Sequence, residues 1–454
     1  MADDRCQEVA VVNTGDTAWI LTSAALVLLM TPGLALFYGG MVRAKSVLNM
    51  MMMSFGAAAL ISVLWVLYGY SIAFGNDVGA GLLGDPTEFF GLKGLMEDLT
   101  AEGGLPVMAF VGFQAVFAII TVALISGAIA DRAKFGAWMV FAGVWATIVY
   151  FPIAHWVFDF TLTDDDGTVT HVGGWIANTL KAVDFAGGTA VHINAGAAGL
   201  ALALVLGKRR GFGREAMRPH NLPLVMIGAG LLWFGWFGFN AGSALAANNT
   251  AAVVWVNTLV ATGAAVLGWL LTEKLRDGHS TSLGGASGVV AGLVAITPAC
   301  SAVSPVGAII IGVLAGVLCA LAVGLKYRFG YDDSLDVVGV HLVGGLWGTI
   351  AIGFLADPDA PAGVESLFFG GSVDQLWRQV VGAVAVLVVS FVLTYVIGLV
   401  IEKTMGFRIT EEDEVAGIDN VVHAESGYDF TSLSGGSGSA LHQATTAKTV
   451  EGSH

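Results

Sequence analysis

Long apolar segments, separated by short polar or glycine- and proline-rich stretches, recur along almost the whole chain. Eleven of them come close to the ~20 residues that a helix needs to cross a bilayer. Their approximate limits are 17–40, 47–74, 105–130, 135–156, 187–207, 220–245, 250–272, 282–299, 305–325, 335–356 and 376–401. This pattern predicts an all-α integral membrane protein with eleven transmembrane helices.

The composition supports lipid as the solvent of this fold. Only 12% of the 454 residues are charged and 56% are apolar, whereas soluble domains carry roughly 25% charged residues. The three cysteines lack metal-binding spacing, so we predict no zinc site and no cofactor. The net charge of −15 gives no basis for nucleic-acid binding. Phosphate-binding, nucleophile-elbow and zinc-protease motifs are missing from the sequence, so an enzyme is not predicted.

Lysine and arginine are distributed unevenly between the two sets of loops. One set, together with the C-terminal segment, holds 16 of the 20 basic residues. The remaining four are Arg5, Lys93, Lys181 and Arg378. Because basic loops stay in the cytoplasm, the N-terminus is predicted outside and the C-terminus inside the cell membrane. The outer loops are acidic, which would either concentrate a cation at the mouth or simply keep the loops hydrated.

The order of the segments predicts the domain organisation. Ten spans plus one fit a five-plus-five inverted repeat with a closing helix, within a membrane domain of residues 1–402. The half-repeats are about 17–210 and 220–356, and the closing helix is about 376–401. The partly apolar segment 403–430 is predicted to dock as a cytoplasmic regulatory tail, and the Ser/Gly/Thr-rich segment 431–454 is predicted to be disordered.

Two of the nine histidines, His192 and His341, lie well inside apolar segments. A single intramembrane histidine most often hydrogen-bonds a neighbouring helix. These two occur at corresponding positions of the half-repeats, in DFAGGTAVHINAG (184–196) and DVVGVHLVGG (336–345). Ionisable residues inside a membrane usually face a pathway or a partner. Two neutral imidazoles bonded to each other would suit a small neutral molecule that has a lone pair and N–H groups.

Aromatic and polar residues near these histidines have less specific signals. Phe113 and Phe117 stand at helical spacing, and 230–245 reads GLLWFGWFGFNAGSAL. Most of these rings would face lipid, although aromatic faces also attract cations and a phenylalanine stack can close a pore. Ser243 would accept a hydrogen bond from a cation. Asp184 either caps the following helix, which its neighbours favour, or contacts the cation directly.

From about Asp16 to Phe430, the chain resembles the Amt/MEP/Rh ammonium transporter family, and its bacterial and archaeal Amt branch in particular. The motifs that carry the resemblance are TPGLALFYGGMVRAKSVLN (31–49), DFAGGTAVHINAG (184–196), RPHNLP (218–223), GWFGFNAGS (235–243), SGVVAGLVAITPAC (287–300) and DDSLDVVGVH (332–341). The resemblance implies a homotrimer in which each protomer has its own pore through an eleven-helix bundle, surrounded by membrane lipids.

The resemblance also implies roles for individual residues. His192 and His341 match the twin histidines that line the pore of the family. Phe117 and Phe239 match the stacked phenylalanines that gate the outer end of that pore.

Other family positions lie at the outer vestibule, where ammonium is recruited. Trp236 and Ser243 match residues that line this vestibule, and Asp184 matches a structural aspartate just below it. Phe158 stands where many members have a tryptophan. Phenylalanine is a weaker cation–π partner, so Trp156 is an alternative contributor to the site.

The implied mechanism is that ammonium gathers at the aromatic and hydroxyl site, loses a proton, and crosses the histidine-lined pore as ammonia. The segment 408–430 resembles the family tail that binds a trimeric PII-type signal protein, with HAES at 423–426 in place of the more familiar HGE. Two alternatives are an ammonium receptor that signals through such a partner and a Rh-like gas channel. A neutral gas needs no cation site, so Trp236 and Ser243 argue against the gas channel.

Overall fold

The structure, a computed structural model, describes residues 11–97 and 104–428 of the chain. The segment 431–454, for which the sequence predicts disorder, lies outside the described residues, and so does Arg5.

Eleven helices account for most of the described residues, and each overlaps one predicted segment. They are α1 (Thr14–Met41), α2 (Ala44–Phe74), α3 (Val107–Ile129), α4 (Phe135–Phe158), α5 (Gly188–Leu206), α6 (Leu222–Gly242), α7 (Asn249–Asp277), α8 (Ser282–Ile296), α9 (Pro305–Phe329), α10 (Val338–Leu355) and α11 (Asp374–Thr404). Ten of these described helices are long and apolar enough to cross a membrane. The exception is α8, whose 15 residues span ~22 Å at the usual helical rise.

Shorter elements join the helices. A two-stranded antiparallel hairpin, β1 (Leu162–Thr163) and β2 (Val169–His171), lies between α4 and α5. After α11 the chain forms a short helix, α12 (Glu411–Ala416), and a wide helical turn at Asp419–His423. The remaining helical turns are Phe90–Leu92, Ile176–Leu180 and Leu367–Phe369.

Polar side chains mark the starts of many of these helices. Each accepts a hydrogen bond from a first-turn amide that has no partner inside the helix. The capping residues at five of these starts are Asn13, Asn221, Asn248, Thr281 and Ser304.

Small residues allow the helices to pack closely. A side chain at Gly228 of α6 would stand 2.3 Å from the backbone nitrogen of Phe37 in α1. Likewise, a side chain at Gly312 of α9 would stand 2.1 Å from the carbonyl oxygen of Ala261 in α7. Such close contacts are typical of helix packing in lipid, where close van der Waals packing replaces the hydrophobic effect.

The outer surface of the bundle is apolar. On α11, exposed valines recur every fourth residue, which aligns them along one face of the helix. They are Val384, Val388, Val392, Val396 and Val400. This face contacts either lipid or another protein chain.

Charged side chains are buried together at the end of the bundle that carries residues 405–428, hereafter the tail-bearing end. Arg209 donates to both carboxylate oxygens of Asp332 over 2.8 and 2.9 Å, and to Asp131 over 3.0 Å. Burial alone would raise the pKa of Asp332, but the hydrogen bonds and charge of Arg209 hold that pKa below its usual value. Arg209 therefore ties together the α3–α4, α5–α6 and α9–α10 connections.

The tail packs onto this end through acidic side chains. Glu414 accepts hydrogen bonds from Arg408 over 3.1 Å and from Arg43 over 3.4 Å. The carboxylate of Asp419 accepts from the backbone amides of Leu48 and Asn49 over 3.0 and 2.8 Å. Because these amides belong to the first turns of α2, the negative charge of Asp419 also interacts favourably with the helix dipole.

We predict that Arg209→Met destabilises the bundle by roughly 3–5 kcal/mol, because it leaves Asp131 and Asp332 buried without their shared partner. Thermal unfolding of the purified protein in detergent measures this effect. The exposed Arg214, on the same connection, is the matched control. Equal unfolding midpoints for Arg209→Met, Arg214→Met and the unmodified protein would contradict the prediction.

Candidate functional site

Two histidines meet in the middle of the bundle. His192 on α5 and His341 on α10 are 0% and 3% exposed. Their Nδ1 atoms lie 3.3 Å apart, and their ring centroids are 5.3 Å apart at an interplanar angle of 26°. Between two neutral rings, one Nδ1–H donates and the other Nδ1 accepts. The pair then presents one Nε2 acceptor and one Nε2–H donor, and the Nε2 of His192 has no protein partner among the described residues.

The same local geometry carries both histidines. Each lies in a wide, π-type helical turn, at Gly188–Ile193 in α5 and Val338–Leu342 in α10. Wide turns of this kind are frequent at functional sites. Four residues after each histidine, a glycine allows the two helices to approach each other. A side chain at Gly196 would stand 2.5 Å from the amide of Leu342, and one at Gly345 would stand 3.1 Å from the Cβ of His192.

An aspartate caps the start of each of these helices. The half-buried Asp184 accepts from the amides of Gly187, Gly188 and Thr189 over 2.6 to 2.9 Å, and from the hydroxyl of Thr189. This is the capping arrangement that the sequence favours for Asp184. The corresponding residue before α10 is Asp333, which accepts from the amides of Val337 and Val338, at the start of α10, over 3.1 and 2.7 Å.

Sequence reasoning missed Asp333. The two histidine motifs in the sequence, 184–196 and 336–345, begin with Asp184 and Asp336, but Asp336 accepts a hydrogen bond from the ammonium group of Lys326 over 2.6 Å and does not cap α10. The sequence spacing could have identified Asp333, because Asp184 precedes His192 by eight positions and Asp333 precedes His341 by the same number. Burial raises the pKa of Asp333, an effect that the positive charge of Lys326 opposes.

Two phenylalanines stack next to the histidines. The rings of Phe117 on α3 and Phe239 on α6 have centroids 4.1 Å apart and an interplanar angle of 22°, and both are almost fully buried. Phe239 also lies over His192, with a centroid separation of 6.1 Å. Rings at this separation leave no space between them, so the pair closes one end of the histidine site.

The structure places Trp236 on the histidine side of this pair. Its indole lies parallel to the His192 ring, at a centroid distance of 5.3 Å and an angle of 19°. Trp236 precedes Phe239 by three residues and Ser243 follows it by four, so Trp236 and Ser243 are separated by ~10 Å along α6. The structure therefore does not bring Trp236 and Ser243 together, because Phe239 lies between them along the helix.

Ser243 lies at the end of α6, beyond the phenylalanine pair. Its hydroxyl donates to the carbonyl of Phe239 over 2.8 Å. The lone pairs of the Ser243 oxygen therefore remain able to accept hydrogen bonds from a bound donor. Phe158, the last residue of α4, meets Phe117 edge to face at 6.4 Å.

Of the two aromatic candidates on α4, the structure brings Phe158 to the phenylalanine pair. The indole N–H of Trp156 donates to the carbonyl of Leu82 over 2.8 Å, and the ring packs against Trp175. Trp156 therefore anchors the 75–97 loop. The residue after Phe158 is Asp159, which His155 and His171 contact at 3.1 and 2.9 Å.

A cavity adjoins the histidines. Its open space is about 10 Å³, the room that one water-sized molecule requires. The lining residues are Met30, Leu34, Phe37, Ile120, Leu124, Val191, His192, Leu232, Trp236, Phe239, Val290 and His341. These side chains carry no carboxylate and no ammonium group, so the cavity suits a small uncharged molecule. Within the described ranges, no group of three His, Cys, Asp or Glu side chains is arranged to hold a metal ion.

Comparisons with known proteins agree with this architecture. The sequence matches the Ammonium Transporter Family over residues 18–428. An ammonium transporter of Mycobacterium tuberculosis is 60% identical over 453 residues, which cover 95% of this chain and 94% of that protein.

Solved structures have the same fold. The crystal structure of Saccharomyces cerevisiae Mep2 matches with a TM-score of 0.80 and 35% identity, over 88% of this chain and 91% of Mep2. A sensor Amt protein matches with a TM-score of 0.81 and 28% identity, over 90% of this chain and 98% of its own. The resemblance drawn from the sequence motifs is thereby confirmed. This chain is a multi-pass membrane protein that belongs to the ammonium transporter family.

Proposed function

We propose that this protein carries ammonium selectively across the cytoplasmic membrane, by removing a proton from ammonium and passing ammonia through the histidine site. The observation that carries the proposal is the direct succession of a stacked phenylalanine pair, a bonded histidine pair and a cavity for one small molecule.

Recruitment takes place on the Ser243 side of the phenylalanine pair. There, the hydroxyl oxygen of Ser243 accepts an N–H from ammonium, and the faces of Phe117 and Phe158 stabilise its charge. Trp236 contributes from the other side of Phe239, as part of the wall that ammonia passes.

Deprotonation follows from the cost of burying a charge. Moving an unpaired ion into an apolar cavity costs at least several kcal/mol, and the side chains around this cavity offer no countercharge. Ammonium releases its proton to water on the Ser243 side of the phenylalanine pair, and the neutral ammonia that remains avoids that cost. It can donate to the Nε2 acceptor of one histidine and accept from the Nε2–H of the other. Potassium has no proton to release and no N–H to donate, so it remains outside.

The topology that we propose has eleven spans, with α8 as a short eighth span. The N-terminus is outside, which places Ser243 at the outer mouth and the tail-bearing end in the cytoplasm. The matched pairs Asp184–His192 and Asp333–His341 support a five-plus-five inverted repeat closed by α11. The membrane domain then comprises 1–402, and 403–430 forms a regulatory tail.

A sensor role is the second candidate function. It is favoured by the likeness to a sensor Amt protein and by the tail that packs on the tail-bearing end. In that role, ammonium occupancy of the same site would be communicated through the tail to a PII-type partner. A gas channel has less support, because a neutral gas gains nothing from the Ser243 and aromatic site.

The transport proposal predicts that ammonium, but not potassium, produces a protein-dependent response in liposomes. Solid-supported-membrane electrophysiology detects it as a transient current if charge moves. If transport is electroneutral, a pH dye inside the same vesicles detects it as a pH change. In the His192→Ala/His341→Ala variant, we expect the ratio of ammonium to potassium response to fall at least about tenfold, or ~1.4 kcal/mol of discrimination. A double variant with unchanged selectivity would contradict the histidine role, and no response above empty liposomes would contradict transport.

Asp184→Ala should impair transport and lower stability by roughly 1–2 kcal/mol, because it removes the cap of the helix that carries His192. Asp184→Asn keeps an acceptor oxygen and is expected to retain most of the stability. Thermal unfolding and ammonium responses of both variants separate capping from charge. If Asp184→Ala unfolds and transports like the unmodified protein, the capping role is wrong.

Membership of the family supports a homotrimer, with the apolar face of α11 against lipid or a neighbouring protomer. Native mass spectrometry of the solubilised protein should give three times the chain mass. The mass of a monomer would contradict the homotrimer.

A purified PII-type protein should co-elute with the full chain but not with a variant truncated after residue 404. Co-elution with the truncated variant would contradict binding through the tail.

A further inference from the structure

A chain of buried hydrogen bonds extends from Trp236 to α7. The indole N–H of Trp236 donates to the hydroxyl of Thr297 over 2.8 Å. The Thr297 hydroxyl lies 3.2 Å from Oδ1 of Asn240, and the amide nitrogen of Asn240 donates to Thr258 over 3.0 Å. All four side chains are at most 2% exposed, so water does not substitute for these bonds.

The other hydrogen bonds of Thr297 and Thr258 determine which atom donates and which accepts along this chain. Thr297 has a single hydroxyl proton, which is directed to the carbonyl of Leu293 at 2.7 Å and to Asn240. Its oxygen is therefore free to accept from Trp236. The hydroxyl of Thr258 donates to the carbonyl of Val254 over 2.8 Å, so it must accept from Asn240. Thr297 accepts from the indole whether its own proton goes to Leu293 or to Asn240, so the indole N–H of Trp236 keeps one defined acceptor.

That orientation matters because Trp236 forms a wall of the histidine cavity. Its ring is stacked on His192, whose Nε2 has no protein partner among the described residues. A buried indole N–H without Thr297 would need another acceptor. In the tautomer in which His192 donates through Nδ1, its Nε2 is such an acceptor, next to the indole.

We propose that Thr297, supported by Asn240, is a positioning residue for selectivity: it directs the indole N–H of Trp236 away from the cavity and leaves Nε2 of His192 open to the permeating molecule. The role rests on the proposed transport function and adds to it residues that do not line the cavity themselves. Neither Thr297 nor Asn240 stands out in the sequence, because single polar residues in an apolar helix most often satisfy a local backbone group.

Thr297→Val tests this role, since it removes the hydroxyl and nearly preserves the volume. We expect the protein to assemble and its ammonium-to-potassium response ratio to fall about tenfold, or ~1.4 kcal/mol. Thr297→Ser retains the hydroxyl and should keep the ratio of the unmodified protein. Thr349→Val is the matched control, because Thr349 is equally buried and its hydroxyl has no partner in the described part of the chain.

A second comparison separates positioning from a general loss of packing. In the Trp236→Phe background there is no indole N–H to direct, so adding Thr297→Val should change the response ratio no further. This pair of variants leaves no buried indole donor unpaired and applies even if Thr297→Val alone assembles poorly.

The outcomes are distinct. A normal ratio in Thr297→Val, an equal loss in Thr297→Ser, or an added loss in the Trp236→Phe background each overturns the positioning role while transport stands. A lack of any ammonium response from the unmodified protein overturns the proposed function, and the positioning role with it.

Discussion

The contact between the Nδ1 atoms of His192 and His341 imposes a strict geometric requirement on this protein. Their 3.3 Å separation joins residues 149 positions apart, so two helices must cross at one defined depth. Aspartate caps set where those helices begin, wide turns set which way the rings face, and Gly196 and Gly345 set how closely the backbones approach. The other elements of the bundle surround this crossing.

Charge is distributed according to the solvent that each layer meets. At the tail-bearing end, buried carboxylates are matched by guanidinium groups, as in the bonds of Arg209 to Asp131 and Asp332. Around the histidines, the lining is aromatic and aliphatic and its polar atoms are neutral. Ion pairs hold the ends of the helices in place, and the uncharged middle makes a permeating ion costly. In the proposed transport function, stability and selectivity therefore depend on different layers of the same bundle.

The site is built in successive shells around the histidines. The phenylalanine pair closes one side, Trp236 forms a wall, and Thr297 and Asn240 orient that wall from behind. In the transport function that we propose, this wall leaves the Nε2 of His192 open, and selectivity then depends on groups that the permeating molecule does not touch. This is the usual relation between the residues that contact a ligand and the residues that orient them.

The sequence alone was sufficient for the features that depend on residue type and local spacing. The apolar segments predict the helices because spanning a bilayer needs a minimum apolar length, and His192 and His341 stand out because ionisable groups are rare at that depth. Features that depend on neighbours far along the chain were decided by the tertiary structure. It brings Phe158 rather than Trp156 to the phenylalanine pair. It places Trp236 against His192, away from Ser243. It also makes Asp333, and not Asp336, the counterpart of Asp184. Helical periodicity indicates which side chains share a face, but the partner that a face meets depends on how distant segments pack.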